Sequence, residues 1–502
     1  MKRYTPLIVL LTALLAGCQE DFLSLTDPTK VSTTNLFTTS ANVTAAVNGV
    51  YSALQPVYNN DYYIFGELAS DNAYESVAAN GHYFFSTFAV DATNPNLQSM
   101  WTDTYKCISR ANAVLDQAVA VSMDSTLKKR YFAEMKFIRA VNYFNLVRIW
   151  GDVPLVVKDL SADYQDAYDY ARTPAAQVYA QIIQDLKDAE TVLPATYSAT
   201  DLGRPTSLSA KALLGKVYLT QKTYDLAAAK LGELIPGAPT AGSLANISGL
   251  LPNFSDVFSP ANEMNKEIIF AIRFLSGGLG TGSSFASVFL PGYSGTDIIK
   301  VGISGGPTER LDLFSAYSTA DKRTPISTGY YTKGNSAATS DYYTKKYIFT
   351  GPPFARNDAD NDWIVLRYAD VLLMYAEALN EQSSPTGALP YINQVRSRAG
   401  LPNLTGLSQA ELRLAIENER RLEFSFEGQR WFDLVRTNRL IPVMNAFYAK
   451  YSAIPSTAAV PNNGLFVNSG GSVVQVQPNQ ILFPIPLAEI QYNPILTQNT
   501  GY

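Results

Sequence analysis

Two widely separated stretches of this chain place small and large residues at the same offsets. Leu214-Gly215-x-x-Tyr218 is followed by Ala227-x-x-x-Leu231, and Tyr375-Ala376-x-x-Leu379 by Ala388-x-x-x-Ile392. Residues three and four apart share one face of an α-helix, so each stretch reads as two helices. The small residues (Gly215, Ala227, Ala376, Ala388) let the paired helices approach closely. Such a helix buries its apolar stripe only against another element, which commits the chain to helix-on-helix layers. Two unrelated helical hairpins would leave the same marks, and both readings give an α-helical scaffold.

The first stretch fits the tetratricopeptide pattern, with Lys211 where tryptophan would stand. Further apolar stripes extend the scaffold. Val43, Val47, Val50 and Leu54 predict a helix that Pro56 ends. Trp101, Tyr105, Ile108, Leu115 and Val119 predict one over 98–121, and Phe137, Val141 and Phe144 one that stops at Gly151. Thr173-Pro174 is a helix start, continued by Val178, Ile182, Leu186 and Ala189. Helices are also expected over 207–235, 366–382, 386–399 and 408–427. The fold class is therefore mainly α: helical repeats over about 98–235 and 366–440, a loop-rich, partly β insertion over about 236–365, and a loop-like C-terminal segment, 441–502. A strand is expected over 266–274. The run 276–361, rich in Gly, Ser, Thr, Pro and Tyr, reads as long loops, and loops of that length in a compact domain are usually functional.

Of the 502 residues 47% are hydrophobic and 17% charged, with net charge −5, which is globular and lacks the basic field of a nucleic-acid binder. The chain has two cysteines and one histidine. If Cys18 belongs to a targeting segment, Cys107 is the one thiol left, so internal disulfides and Cys/His zinc sites are excluded, and no cofactor is expected. Gly277 to Gly282 lacks the G-x-G-x-x-G spacing and the Lys-Ser/Thr of a P-loop, and reads as a flexible loop. The 44 acidic residues contain no spacing that singles out a glycosidase pair. The densest charged motif, Glu417 to Leu434, reads as a structural ion-pair network with Glu417–Arg421 and Asp433–Arg436 pairs, and Gly428 as a helix cap.

Tyrosine is the abundant residue, 31 of them beside 24 Phe. Tyr58, Tyr62, Tyr63 and Phe65 lie among Asn59, Asn60 and Asp61. Asp71, Asn72 and Tyr74 follow, then His82, Tyr83, Phe84 and Phe85; later come Tyr293, Tyr317, Tyr330, Tyr331, Tyr342, Tyr343 and Tyr347. A sugar offers an apolar C–H face ringed by hydroxyls, which an aromatic platform and nearby Asp, Asn or His can match. The candidate ligand residues are Tyr74, Tyr83, His82, Asp71, Asn72, Tyr293 and Tyr331, with no catalytic or metal-ligating set. The alternative is that these side chains brace loops against the scaffold.

The N-terminus is an address. Lys2 and Arg3 precede an apolar run, Pro6 to Leu15, and Leu15-Ala16-Gly17-Cys18 resembles the lipobox of bacterial lipoproteins. On this reading 1–17 is a signal peptide, Cys18 is lipidated and 18–34 is a tether, leaving 35–502 as one domain. An ordinary secretory signal with an incidental cysteine is the alternative.

Four further stretches carry a family resemblance: Ala133 to Leu155 with Trp150-Gly151-Asp152-Val153-Pro154; Leu366-Arg367-Tyr368-Ala369-Asp370 to Asn380; Asn393 to Leu401 leading into Glu419–Leu434; and Phe483-Pro484-Ile485-Pro486 to Tyr502. With the lipobox and the repeat-like hairpins they resemble the SusD/RagB family of Bacteroidetes outer-membrane lipoproteins. The resemblance implies a non-enzymatic, surface-exposed glycan binder on a tetratricopeptide-like scaffold, partnered with a SusC-like TonB-dependent transporter. Peptide or glycopeptide capture, a surface glycosidase and a pure interaction scaffold are the alternatives. The shared stretches look like scaffold, so the resemblance brings no ligand residue with it.

Overall fold

The computed structural model describes residues 36–75, 81–160, 170–238, 248–334, 336, 339–349, 355–454, 466 and 471–502. The signal peptide, Cys18 and the tether expected over 1–34 lie outside these residues. The fold is mainly α, as expected. Helix α1 (Ser40–Pro56) buries Val43, Val47, Val50 and Leu54, and Thr39 caps it by accepting from the Asn42 amide. Pro56 does not end the helical path. Two π-helical segments follow, Val57–Tyr62 and Ile64–Leu68. Proline cannot donate into the ladder and its ring crowds the preceding turn; wider turns relieve both. This coil drives Tyr58, Tyr62, Tyr63 and Phe65 into the core, so the first aromatic run is packing rather than loop surface.

Helices α2 (Pro95–Gln117), α3 (Ser125–Trp150) and α4 (Ala175–Val192) come next, then α5 (Ser207–Thr220) and α6 (Tyr224–Gly232). The first orphan amide of α4, at Ala175, donates to Asp152 (2.7 Å), so Asp152 rather than Thr173 caps that helix. The small residues do what their spacing promised. A Cβ on Gly215 would sit 2.5 Å from Leu231 Cγ, so only glycine lets α5 and α6 pack this closely. The second hairpin is α7 (Tyr368–Glu381) and α8 (Pro385–Arg398), with Ala376 and Ala388 fully buried and Tyr375 edge-on to Tyr391 at 4.6 Å. Helix α6 packs on α7, which joins the two hairpins.

Helix α9 (Gln409–Glu423) carries a Ser408/Glu411 capping box and ends before 427. Helices α10 (Arg430–Arg436) and α11 (Leu440–Ser452) follow. The latter corrects the loop-like reading of 441–502: Leu440, Met444, Phe447, Tyr448 and Tyr451 form a buried stripe at helical spacing.

The middle third is not structureless either. Strands β1 (Ala73–Tyr74), β3 (Thr308–Glu309), β4 (Gly329–Thr332) and β5 (Ser340–Tyr343) form an antiparallel sheet in the order β1-β3-β5-β4. Strand β2 (Ile268–Ile272) pairs antiparallel with β6 (Trp363–Arg367) inside the core. The Gly277–Gly282 loop is pinned rather than free, because the amides of Gly277 and Gly278 donate to Asp358 (3.1 and 2.8 Å).

The charged motif is internal. Arg367 and Arg323 reach Glu423 at 2.6 and 2.9 Å, and Arg398 reaches it too. Burial alone would raise the Glu423 carboxyl; Arg398, Arg367 and Arg323 outweigh it and hold the group well below the usual carboxylate range. Asp433–Arg436 forms as expected at 2.8 Å. Glu417–Arg421 does not: Glu417 pairs with Arg439 (3.0 Å), and Arg421 turns inward to Asp312 (2.8 Å) and Asp71 (3.3 Å). From there Arg421 also donates to Asn72 Oδ1 (3.0 Å) and to the Asp71 carbonyl (2.8 Å), so the inward position satisfies more of its N–H groups than the i,i+4 neighbour alone could.

Candidate functional site

The four-stranded sheet gathers the aromatic residues that the loops scatter in sequence. Tyr331 on β4 pairs across with Asp341 on β5, and Tyr330 with Tyr342. Strand alternation therefore puts Tyr331 and Asp341 on one face and Tyr330 and Tyr342 on the other. On the first face, the hydroxyls of Tyr74 and Tyr293 both donate to Asp341. Tyr293 stacks on Tyr331 with ring centroids 6.2 Å apart and planes at 24°. Tyr331 in turn donates to Asp297 at 2.5 Å. On the second face Tyr342 packs between Tyr330 (5.1 Å) and Phe314 (4.3 Å), and Tyr330 is 41% exposed.

Burial, then the Asp341 carboxylate, pushes the phenols of Tyr74 and Tyr293 well above their ordinary range. Burial raises Asp341, and the two donated hydrogen bonds oppose that. The cluster is thus a set of neutral phenols around one carboxylate. Tyr293 and Tyr331 are half-buried, with part of each ring open.

The seven candidates divide. Tyr74, Tyr293 and Tyr331 meet around Asp341. His82 and Tyr83 begin a short helix (His82–Ser86) next to β1, with Tyr83 edge-on to the exposed Phe84 at 5.7 Å. His82 Nδ1 lies 4.0 Å from Glu75, too far for a direct hydrogen bond, and burial pushes its pKa down to about 4. At neutral pH it is an uncharged imidazole.

Asp71 and Asn72 face inward. Arg430 grips Asp71 with bonds of 2.7 and 2.9 Å, and Arg421 Nε donates to Asn72 at 3.0 Å. Burial would raise Asp71; Arg421 and Arg430 override it and keep the carboxylate ionised far below its usual range. The side chains expected to meet ligand hydroxyls here tie the loop to α9 and α10. Asp341 and Asp297 were not singled out in sequence. The signal was the pairing of Gly329-Tyr330-Tyr331-Thr332 with Ser340-Asp341-Tyr342-Tyr343, two short aromatic strands across a turn.

Among the described residues no group of three or more His, Cys, Asp or Glu side chains could hold a metal ion. Cys107 is buried, and burial pushes its thiol up to about 12, so it is a packing residue and not a nucleophile.

Two family models divide the chain between them. One described as the SusD family matches residues 311–502, and one described as starch-binding, associating with the outer membrane, matches 21–219. The chain belongs to the SusD family. A SusD-like protein of Formosa agariphila is 28% identical to it over 546 aligned positions, covering 96% of each chain. The starch-binding protein SusD of Bacteroides thetaiotaomicron is 23% identical over 465 positions, covering 79% of this chain and 76% of its own. Among solved structures, a laminarin-binding SusD-like protein superposes with a TM-score of 0.75 at 26% identity, over 93% of this chain and 100% of that one. Residues 220–310 fall outside both family models, and Tyr293 and Asp297 lie in that gap.

Proposed function

We propose that this protein captures oligo- or polysaccharide at the bacterial outer membrane and passes it to a SusC-like TonB-dependent transporter. On this reading Cys18 carries the lipid anchor, and the domain faces the cell exterior and binds without hydrolysing. The observation that carries the proposal is the constellation of Tyr293 stacked on Tyr331, with Tyr74 and Tyr293 braced by Asp341. Half-open phenol rings offer C–H stacking faces, and their hydroxyls and Asp297 offer hydrogen-bond partners, which suits a neutral sugar chain better than a strongly charged peptide. Starch and laminarin, named for relatives, are the first glycans to try.

The test is isothermal calorimetry on the soluble protein starting at Gln19, with laminarin, starch-derived and xylan-derived oligosaccharides and a casein peptide digest. Tyr331→Ala is expected to weaken glycan binding by about 1–3 kcal/mol, the scale of one lost stacking platform, with an unchanged melt. Binding of the peptides but of no glycan refutes the proposal. So does release of reducing ends by the purified protein.

A further inference from the structure

Elements that take no part in the tyrosine sheet line a cavity of about 590 Å³, between α2, the segment around 154–160 and the C-terminal helix Leu487–Tyr492. Trp101 and Tyr105 form its aromatic wall, with rings 5.0 Å apart. That wall is braced from behind: Tyr105 donates to the Pro154 carbonyl at 2.8 Å, and Trp101 packs edge-on to Trp150 at 5.1 Å. Tyr170 and Tyr492 complete the aromatic lining, while Lys106, Lys158 and Glu489 supply two cations and a carboxylate. Gln98 donates to Glu489 and fixes it in place. Tyr492 is 68% exposed, more than any other described tyrosine. Its ring sits at the rim of the cavity with most of its surface in water.

The volume lies in the range of small-ligand sites, which are mostly apolar with a few placed polar groups. An apolar peptide side chain would desolvate Lys106 and Glu489 without pairing them, which is costly. A phosphate would find Lys106 and Lys158 but also Glu489, which Gln98 holds in the lining with like charge. A pyranose ring fits both demands, since its C–H face covers an aromatic ring while its hydroxyls accept from an ammonium and donate to a carboxylate. The geometry points to a second carbohydrate subsite in the Trp101–Tyr105–Tyr492 cleft, taking one or two pyranose rings and separate from the tyrosine sheet. This rests on the glycan reading above. Two subsites on one chain let a single polysaccharide bind twice, so the second contact gains from effective concentration.

Calorimetry with laminarihexaose, maltohexaose and xylohexaose on wild type, Tyr331→Ala, Tyr492→Ala and the double variant tests it, with melts as controls. For the oligosaccharide that binds, wild type should show two sites, each single variant one, and the double variant none. Retardation in a gel containing the parent polysaccharide should weaken at least tenfold in Tyr492→Ala. One site in wild type that Tyr492→Ala leaves intact overturns the subsite while the glycan reading stands. Silence toward every probe overturns both. If Tyr492→Ala keeps all sugar binding but no longer co-purifies with its transporter, the cleft is a protein contact and the subsite is wrong.

Discussion

Asp341 shows how one carboxylate can organise a surface. It accepts from two tyrosines that are far apart in the chain, and thereby fixes the orientation of rings that would otherwise sample several rotamers. Glu309, on the neighbouring strand, illustrates the opposite case. It is fully buried, accepts from Thr328 at 2.6 Å through one oxygen, and has no partner for the other among the described residues. Burial pushes its pKa up to about 8. Between the ordinary glutamate value and pH 8 the folded protein keeps a proton that the unfolded chain has lost, so this group's contribution to stability declines as pH rises. Glu309→Gln removes the ionisation and keeps the shape. The variant should melt like wild type near pH 5 and above it at pH 9, with a gap on the order of 4 kcal/mol for a shift of this size. Melting curves across pH 5–9 decide it; parallel profiles would show that Glu309 ionises freely.

At the scale of elements, the contact that locks the π-helical coil to α10 is a glycine crossing. A Cβ on Gly66 would lie 2.4 Å from the Gly428 carbonyl oxygen, and Gly428 itself has φ +71°. The Gly428 amide donates to Glu67 at 2.7 Å. The cap expected of Gly428 is therefore displaced: α9 ends at Glu423, and Gly428 forms the bend into α10 and the seat for Gly66. Backbone atoms cannot move aside as a flexible side chain can. Gly66→Ala should cost about 3 kcal/mol or more, read as a lowered urea midpoint with an unchanged slope. Gly49→Ala, with open space around its Cβ, is the control and should change little. Equal midpoints for the two variants would remove the crossing from the account of stability.

For the whole molecule, covalent lipid at Cys18, read from the lipobox Leu15-Ala16-Gly17-Cys18, is the proposed link to the membrane. Two or more acyl chains hold a soluble domain stably at a bilayer. Cys18→Ala should shift the protein from the membrane pellet to the soluble fraction without altering its melt. Continued pelleting after a salt wash would show that another surface carries the attachment.

The helical scaffold was legible in the sequence because helix formation is local. Apolar stripes at 3.6-residue spacing and small residues at helix-pair positions name α1 to α9, though α3 begins at Ser125, well before the stripe that starts at Phe137, and the same spacing is present in α11. The internal fate of the Glu417–Leu434 charges was legible too, but their partners were not. Arg421 pairs with Asp71 and Asp312 rather than Glu417, a choice made by which segments the fold brings beside α9 and not by chain distance. The same holds at the site. Residue type pointed to Tyr74, Tyr293 and Tyr331, yet only the pairing of β4 with β5 and the long-range bonds to Asp341 bring them together, and only the arginines of α9 and α10 take Asp71 and Asn72 inward. Local periodicity fixes which segments are helices; which side chains are left to face a ligand depends on the contacts that form when those segments pack.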